Sequence, residues 1–264
     1  MEKKHKKLRN LFVIMVYIFL YLPIIILVVF SFNKSRMNIV FTGFTLSWYK
    51  TLFSNRELLE AFGNTMLIAV VSTAVSTVIG TISAVALQKF NFFGKKTVNK
   101  LIYIPIVIPE IVLGISLLSI YTLSHLELGM LSLILSHIAF SIPFVITSVR
   151  SNLSQIPRTY EEAAKDLGAS QSKTFFKITL PLITPGVISG AILAFTLSLD
   201  DVVISYFTAG PGSNTLPLKI YSMIKTGITP DVNALSSLML LTVIIVLLIV
   251  TYIQTKNIQK KVKI

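Results

Sequence analysis

The sequence predicts an all-α membrane protein, and three observations carry that prediction. Apolar residues make up 53% of the 264 residues and charged residues only 13%, about half the charged share of an ordinary soluble domain. Several separate apolar runs reach the roughly 20 residues that a helix needs to cross about 30 Å of hydrocarbon. The basic residues behind the net charge of +13 lie between and beyond those runs, never inside them. That placement assigns the charge to loops at a membrane surface and gives no reason to expect nucleic-acid binding. With no cysteine in the chain, no disulfide, thiolate zinc site or cysteine nucleophile is expected; no residues are assigned to a metal.

The elements follow in order. A basic N-terminus, residues 1–10, contains Lys3, Lys4, Lys6, Lys7 and Arg9. It leads into Leu11–Phe32, an apolar stretch too long for a secretion signal and followed by no small-residue cleavage site, so it reads as a retained first span. Further spans are expected over Gly63–Leu87, Leu101–Tyr121, Met130–Val149, Leu182–Phe207 and Ala234–Ile253. A basic tail, residues 255–264, ends the chain. With both termini placed in the cytoplasm, all of the 24 basic residues except Lys34, Arg36, Lys50, Arg56, Lys219 and Lys225 fall on the inner side. This bias predicts an N-in, C-in, multi-pass topology.

Small residues recur at four-residue spacing on two spans: Ser72, Ser76, Gly80 and Ala84 on the second, Gly186, Gly190 and Ala194 on the fifth. Such stripes let helix backbones approach closely, either within one bundle, the preferred reading, or at a subunit interface. Pro23, Pro105, Pro109 and Pro143 lie inside apolar spans, where each removes a helix hydrogen bond and predicts a bend.

The segment between the fourth and fifth spans, residues 150–181, is long and charged and reads as two short helices. Arg158–Leu167 is helix-competent behind Pro157, Gly168 is a natural C-cap, and Ser170 can cap a second helix running to Lys177. Glu161 and Lys165 stand four apart and can pair. Ala163 and Ala164 present bare backbone beside carboxylates, a surface suited to docking in a groove on another protein. Glu162-Ala163-Ala164, then Gly168, then Ile178-Thr179-Leu180-Pro181 resembles the coupling-loop signature of bacterial ABC importer permeases, with every element in register. The resemblance implies six transmembrane helices of the type I ABC importer permease fold, with 63–254 as the core domain and 150–181 as its cytoplasmic coupling loop. It also implies that Glu161, Glu162, Ala163, Ala164, Gly168, Ile178, Leu180 and Pro181 serve contact with the ATPase. The partners implied are a second permease subunit and two separate ATPase subunits, which bind the ATP and magnesium. This chain is then no enzyme and holds no cofactor. Its one Gly-Lys pair, Gly94-Lys95-Lys96-Thr97, lacks the earlier glycine of a phosphate-binding loop because Lys89 stands there.

Acids inside a membrane are costly, about 2.5–3.5 kcal/mol each on insertion scales. Glu110 lies within the predicted third span, and Asp200 and Asp201 within the fifth. No lysine or arginine occurs in any span, and His137 is the only basic-capable partner candidate. These acids are either structural, meaning protonated, bonded to hydroxyls such as Ser116 or Ser198, or paired with another subunit, or they line a path for a cation. Ser198-Leu199-Asp200-Asp201-Val202-Val203-Ile204-Ser205, Leu216-Pro217-Leu218-Lys219-Ile220-Tyr221-Ser222-Met223 and Pro105-Ile106-Val107-Ile108-Pro109-Glu110 resemble the C-type permeases of spermidine/putrescine importers, over essentially the whole chain. That implies polyamine import, a B-type partner permease and an extracytoplasmic polyamine-binding protein. Its docking surfaces would be the outer loops, Asn33–Phe62 with Trp48 and Tyr49, and Thr208–Val232 with the turn Gly210-Pro211-Gly212.

Related permeases carry other organic cations or metal chelates, and that substrate class is the alternative within the same importer type. An ion-coupled secondary transporter would instead show inverted repeats around a midplane site. No such repeat is evident, and the loop signature would be left without a purpose. An intramembrane enzyme would need catalytic groups facing one point, whereas adjacent acids on one helix diverge by about 100°.

Overall fold

The computed structural model describes residues 2–36, 40–157, 159–226, 230–242, 244–245 and 248, and among these the regular structure is helical. In order the helices are α1 (Glu2–Phe30), α2 (Ser47–Ser54), α3 (Arg56–Lys89), α4 (Lys95–Leu101), α5 (Ile104–Val107), α6 (Glu110–Leu123), α7 (Met130–Leu153), α8 (Thr159–Asp166), α9 (Gln171–Thr174), α10 (Leu180–Asp200), α11 (Val203–Thr208) and α12 (Leu216–Thr226). A π-helical turn over Phe175–Thr179 joins α9 to α10, and helical backbone resumes over 230–242. Among the described residues four single stretches are long and apolar enough to cross a membrane: Arg9–Phe30, Arg56–Lys89, Met130–Leu153 and Gln171–Asp200.

The expected third span is not one helix. Lys95–Val107 and Glu110–Leu123 meet at 111°. Pro109 causes the break: it has no N–H to donate, and it forces the preceding Ile108 out of helical geometry to ψ 146°. Helices continue through Pro23 and Pro143. The expected fifth span is also divided. Helix α10 stops at Asp200, Asp201 is extended at ψ 124°, and α11 starts after it. At its other end this span begins earlier than expected, because α9, the π turn and α10 run on continuously. Pro181 cannot donate to the carbonyl one turn before it, and the widened π register lies immediately upstream. The expected sixth span, Ala234–Ile253, falls in part outside the described residues.

The chain divides into two compact units, one formed by residues 1–59 and 222–264, the other by Glu60–Tyr221. In the larger unit α7 is central. Ala84, Val85 and Leu87 of α3 and Ile183 and Ala194 of α10 form one core with Val145, Ile146, Val149 and Leu153 of α7. Both small-residue stripes face inward: Ser72, Ser76, Gly80 and Ala84, and likewise Gly186, Gly190 and Ala194, are buried. A Cβ at Gly80 would lie 2.7 Å from the Cβ of Val145, and one at Gly190 would lie 3.2 Å from its Cα. The stripes therefore pack α3 and α10 onto α7 within this chain, the first of the two readings above. A second cluster joins Leu117 and Tyr121 of α6, Phe140 of α7 and Ile204 of α11.

In the smaller unit, Arg9–Phe30 buries none of its apolar window within the chain, as a lipid-facing helix can. The loop after it is organised around Asn33, which is fully buried. Its side chain donates to the carbonyl of Val40 at 2.8 Å and accepts from the N–H of Thr42 at 2.8 Å. Its backbone carbonyl accepts from Trp48 Nε1 at 2.6 Å. Trp48 thus helps to hold this loop in shape. Asn55 donates to the buried Asp231 at 3.0 Å.

Candidate functional site: a capped loop helix and a broken acidic span

The loop helix forms as its sequence requires. Helix α8 ends on Gly168 at φ +77°, a left-handed conformation that costs glycine little. The N–H of Gly168 donates to the carbonyl of Lys165 at 2.8 Å, and that of Ala169 to Ala164 at 2.9 Å, satisfying carbonyls at the end of the helix. Ser170 Oγ then accepts from the N–H of Lys173 at the start of α9. On α8, Glu162 and Ala163 are exposed while Ala164 is buried. The bare patch expected of both alanines is therefore presented by Ala163 alone. Of the later residues in the signature, Ile178 and Leu180 are half-buried and Pro181 is exposed.

Glu161 does not pair with Lys165 as expected. It meets Lys89 Nζ, at the end of α3, at 2.6 Å. Thr179 closes the group, its hydroxyl donating to Glu161 Oε1 at 2.7 Å and accepting from Lys89 Nζ at 3.2 Å. Burial pushes the Glu161 carboxyl up, but the bonds from Lys89 and Thr179 and the charges of Lys89 and Lys165 outweigh it and hold the group below its ordinary value. Three elements are locked here: the end of α3, the loop helix and the π turn entering α10. Lys89, Glu161, Glu162, Lys165, Gln171 and Thr174 help to line a cavity of about 430 Å³ beside them. Sequence spacing had no means of finding Lys89, because it is 90 residues from Thr179.

The three membrane acids have unlike surroundings. Glu110 is exposed and opens α6 directly behind the Pro109 break, where a carboxylate favours the positive end of the helix dipole. Asp200 is exposed at the last residue of α10. Asp201 is 8% exposed, and its carboxylate caps α11. It accepts from the N–H of Ile204 at 3.1 Å, the N–H of Ser205 at 2.7 Å and the Ser205 hydroxyl at 2.6 Å. His137 of α7 stands 3.5 Å from it. The two aspartates therefore do not share one helix. The break sends Asp200 outward and Asp201 inward.

A capped loop helix, anchored to the end of α3, thus lies in the chain between the apolar stretches of α7 and α10. Residues 76–264 match the family described as binding-protein-dependent transport system inner membrane component, and the chain belongs to it. It is 47% identical to the spermidine/putrescine transport system permease protein PotC of Escherichia coli (strain K12) over 233 residues, 88% of each chain. It is 39% identical to the putrescine transport system permease protein PotI of the same organism over 252 residues, 93% of this chain and 90% of that one. Among solved structures it is similar to a bacterial ABC transporter involved in the import of the acidic polysaccharide alginate. That match has TM-score 0.72 at 16% identity and covers 95% of this chain and 96% of the other. The MetNI methionine ABC transporter matches with TM-score 0.59 at 20% identity, over 72% and 90%. At these identities the two structures speak for the fold alone.

Proposed function

We propose that this chain is the transmembrane permease subunit of an ATP-driven, binding-protein-dependent importer that moves polyamines, spermidine and putrescine among them, into the cytoplasm. The observation that carries the reading is the loop helix. An exposed Glu162-Ala163 face sits on a helix capped at Gly168 and pinned by Glu161 to Lys89 and Thr179. A push on that helix from a partner is transmitted directly to the ends of α3 and α10. The partner is a separate ATPase that binds ATP and magnesium, present in two copies. The rest of the assembly is a second, B-type permease and an extracytoplasmic polyamine-binding protein. In this reading the chain makes six crossings of the cytoplasmic membrane with both termini inside, 63–254 is the transport core, and 150–181 lies in the cytoplasm. The polyamine assignment is supported by the similarity to PotC and PotI and by acids at the two helix breaks.

Reconstitution tests it. In proteoliposomes holding this chain with its partner permease, ATPase and binding protein, spermidine uptake should require ATP on the cytoplasmic side and the binding protein outside. Uptake driven by an ion gradient without ATP would overturn the importer class. ATP-driven uptake of a different cargo, with spermidine and putrescine ignored, would overturn the substrate.

A further inference from the structure

The acid path leaves the buried, titratable His137 without a task. His137 is 1% exposed in the middle of α7, yet both ring nitrogens are engaged. Nδ1 lies 2.7 Å from Ser198 Oγ on α10, and Nε2 lies 3.1 Å from Ser205 Oγ on α11 and 3.5 Å from Asp201 Oδ2. Ser198 Oγ in turn lies 3.2 Å from Ser72 Oγ on α3. The single imidazole thus reaches both sides of the break at Asp201.

Donor counting fixes the direction of the Nε2 bond. Ser205 has one hydroxyl proton, and it goes to Asp201 Oδ2 at 2.6 Å. Toward His137 the Ser205 oxygen can only accept, so Nε2 carries the proton and donates. On the other side Nδ1 and Ser198 Oγ share one hydrogen bond at 2.7 Å, and Ser198 Oγ bonds Ser72 as well. Every member of the group has a hydrogen-bond partner, as a polar network inside a membrane span requires. The Asp201 carboxylate is held from two sides, by α11's own N–H groups and by α7 through His137 and Ser205.

We infer that His137 is a positioning residue for the cation path. Through the Nε2 bond to Ser205 it holds the Ser205–Asp201 pair, fixes the extended residue between α10 and α11, and so sets where Asp200 is presented. The inference rests on the reading of Asp200 as a path residue. His137 itself touches no substrate.

The test uses the full complex in proteoliposomes, with spermidine uptake and membrane abundance measured together. A glutamine amide N–H reaches about as far as Nε2, while an asparagine amide reaches only about as far as Nδ1. His137→Gln should therefore retain uptake within a fewfold. His137→Asn and His137→Leu should lose about tenfold or more. A residue that merely filled a polar space would treat the two amides alike, so equal behaviour of Gln and Asn overturns the inference, even if the leucine variant fails to insert. Combining His137→Asn with Asp200→Asn adds the second criterion. Because both act through Asp200, the double variant should be no worse than the poorer single one, and fully additive losses would also overturn it. Wild-type uptake by Asp200→Asn alone would instead overturn the path reading on which the inference rests.

Discussion

Lys89 and Glu161 meet at 2.6 Å across the junction between the end of α3 and the loop helix. Both side chains are largely shielded, and Thr179 bonds to each, so removing one partner strands the other in a poorly solvated place. Such a loss costs about 1–3 kcal/mol. Glu161→Gln and Lys89→Met should each leave the chain inserted, uncouple ATP hydrolysis from uptake, and show non-additive effects when combined. Full coupling in both single variants would show that the contact transmits nothing.

The same pair sets a pH dependence. The Glu161 carboxyl is held below its ordinary value of 4.5, so its contribution to stability is fully present above that value. The contribution is lost as pH falls through the lowered native value. In detergent, the difference in melting temperature between wild type and Glu161→Gln should therefore be largest above the ordinary carboxylate value and vanish under stronger acid. A difference that does not change with pH would exclude the ion pair as its source.

Gly168 carries a separate prediction. Its φ of +77° costs an L-residue about 1–2 kcal/mol, and a side chain there would be added to the same loop as the exposed Glu162 and Ala163. Nothing lies within 4 Å of a Cβ built at this position, so the chain should tolerate Gly168→Asp structurally. Uptake should fail at normal membrane abundance, with loss of ATPase copurification as the direct measurement. Wild-type transport at equal abundance would sink the coupling assignment.

Helix packing can be checked by a matched pair. Gly80→Ala places a methyl 2.7 Å from the Cβ of Val145, an atom fixed to the helix backbone, whereas Gly63→Ala on the same helix meets nothing within 4 Å. The first should destabilise by about 1–3 kcal/mol and lower abundance. The second should be neutral or slightly stabilising. Equal effects would mean that α3 does not lie against α7 as described.

Local features were legible in the sequence, and pairings across the chain were not. Gly168, Ser170 and the Glu162-Ala163-Ala164 run announce a capped loop helix because each acts on its nearest neighbours. The small-residue stripes announced close packing for the same reason. The 111° break was half legible: Pro109 was visible, but the apolar run continues through it, and hydropathy does not register a missing N–H. The partner of Glu161 was hidden because an i, i+4 lysine was at hand, while Lys89 is brought in by the bundle. The fates of Asp200 and Asp201 depend on His137, which is 61 residues from Ser198. Spacing along one helix cannot express that.

The last prediction separates the three acids by their surroundings. Glu110 and Asp200 are exposed beside the two helix breaks, and an acid in a membrane span is least costly in water or opposite a mobile cation. Glu110→Gln and Asp200→Asn should therefore weaken polyamine uptake with little change in abundance or melting temperature. Asp201 differs, because its two oxygens receive two backbone N–H groups and the Ser205 hydroxyl. An amide in its place has one accepting oxygen and sets an NH₂ against a donor. Asp201→Asn should lower stability by about 1–3 kcal/mol as well as uptake, because it frees the cap of α11 before any cation is met. Uptake and melting temperature measured on the same preparations distinguish the roles. If Asp201→Asn loses uptake at wild-type stability, Asp201 acts on the cation directly and its capping role is secondary. If all three variants and their combination import spermidine and putrescine normally, the acids have no part in the path, and the polyamine assignment rests on similarity to PotC and PotI alone.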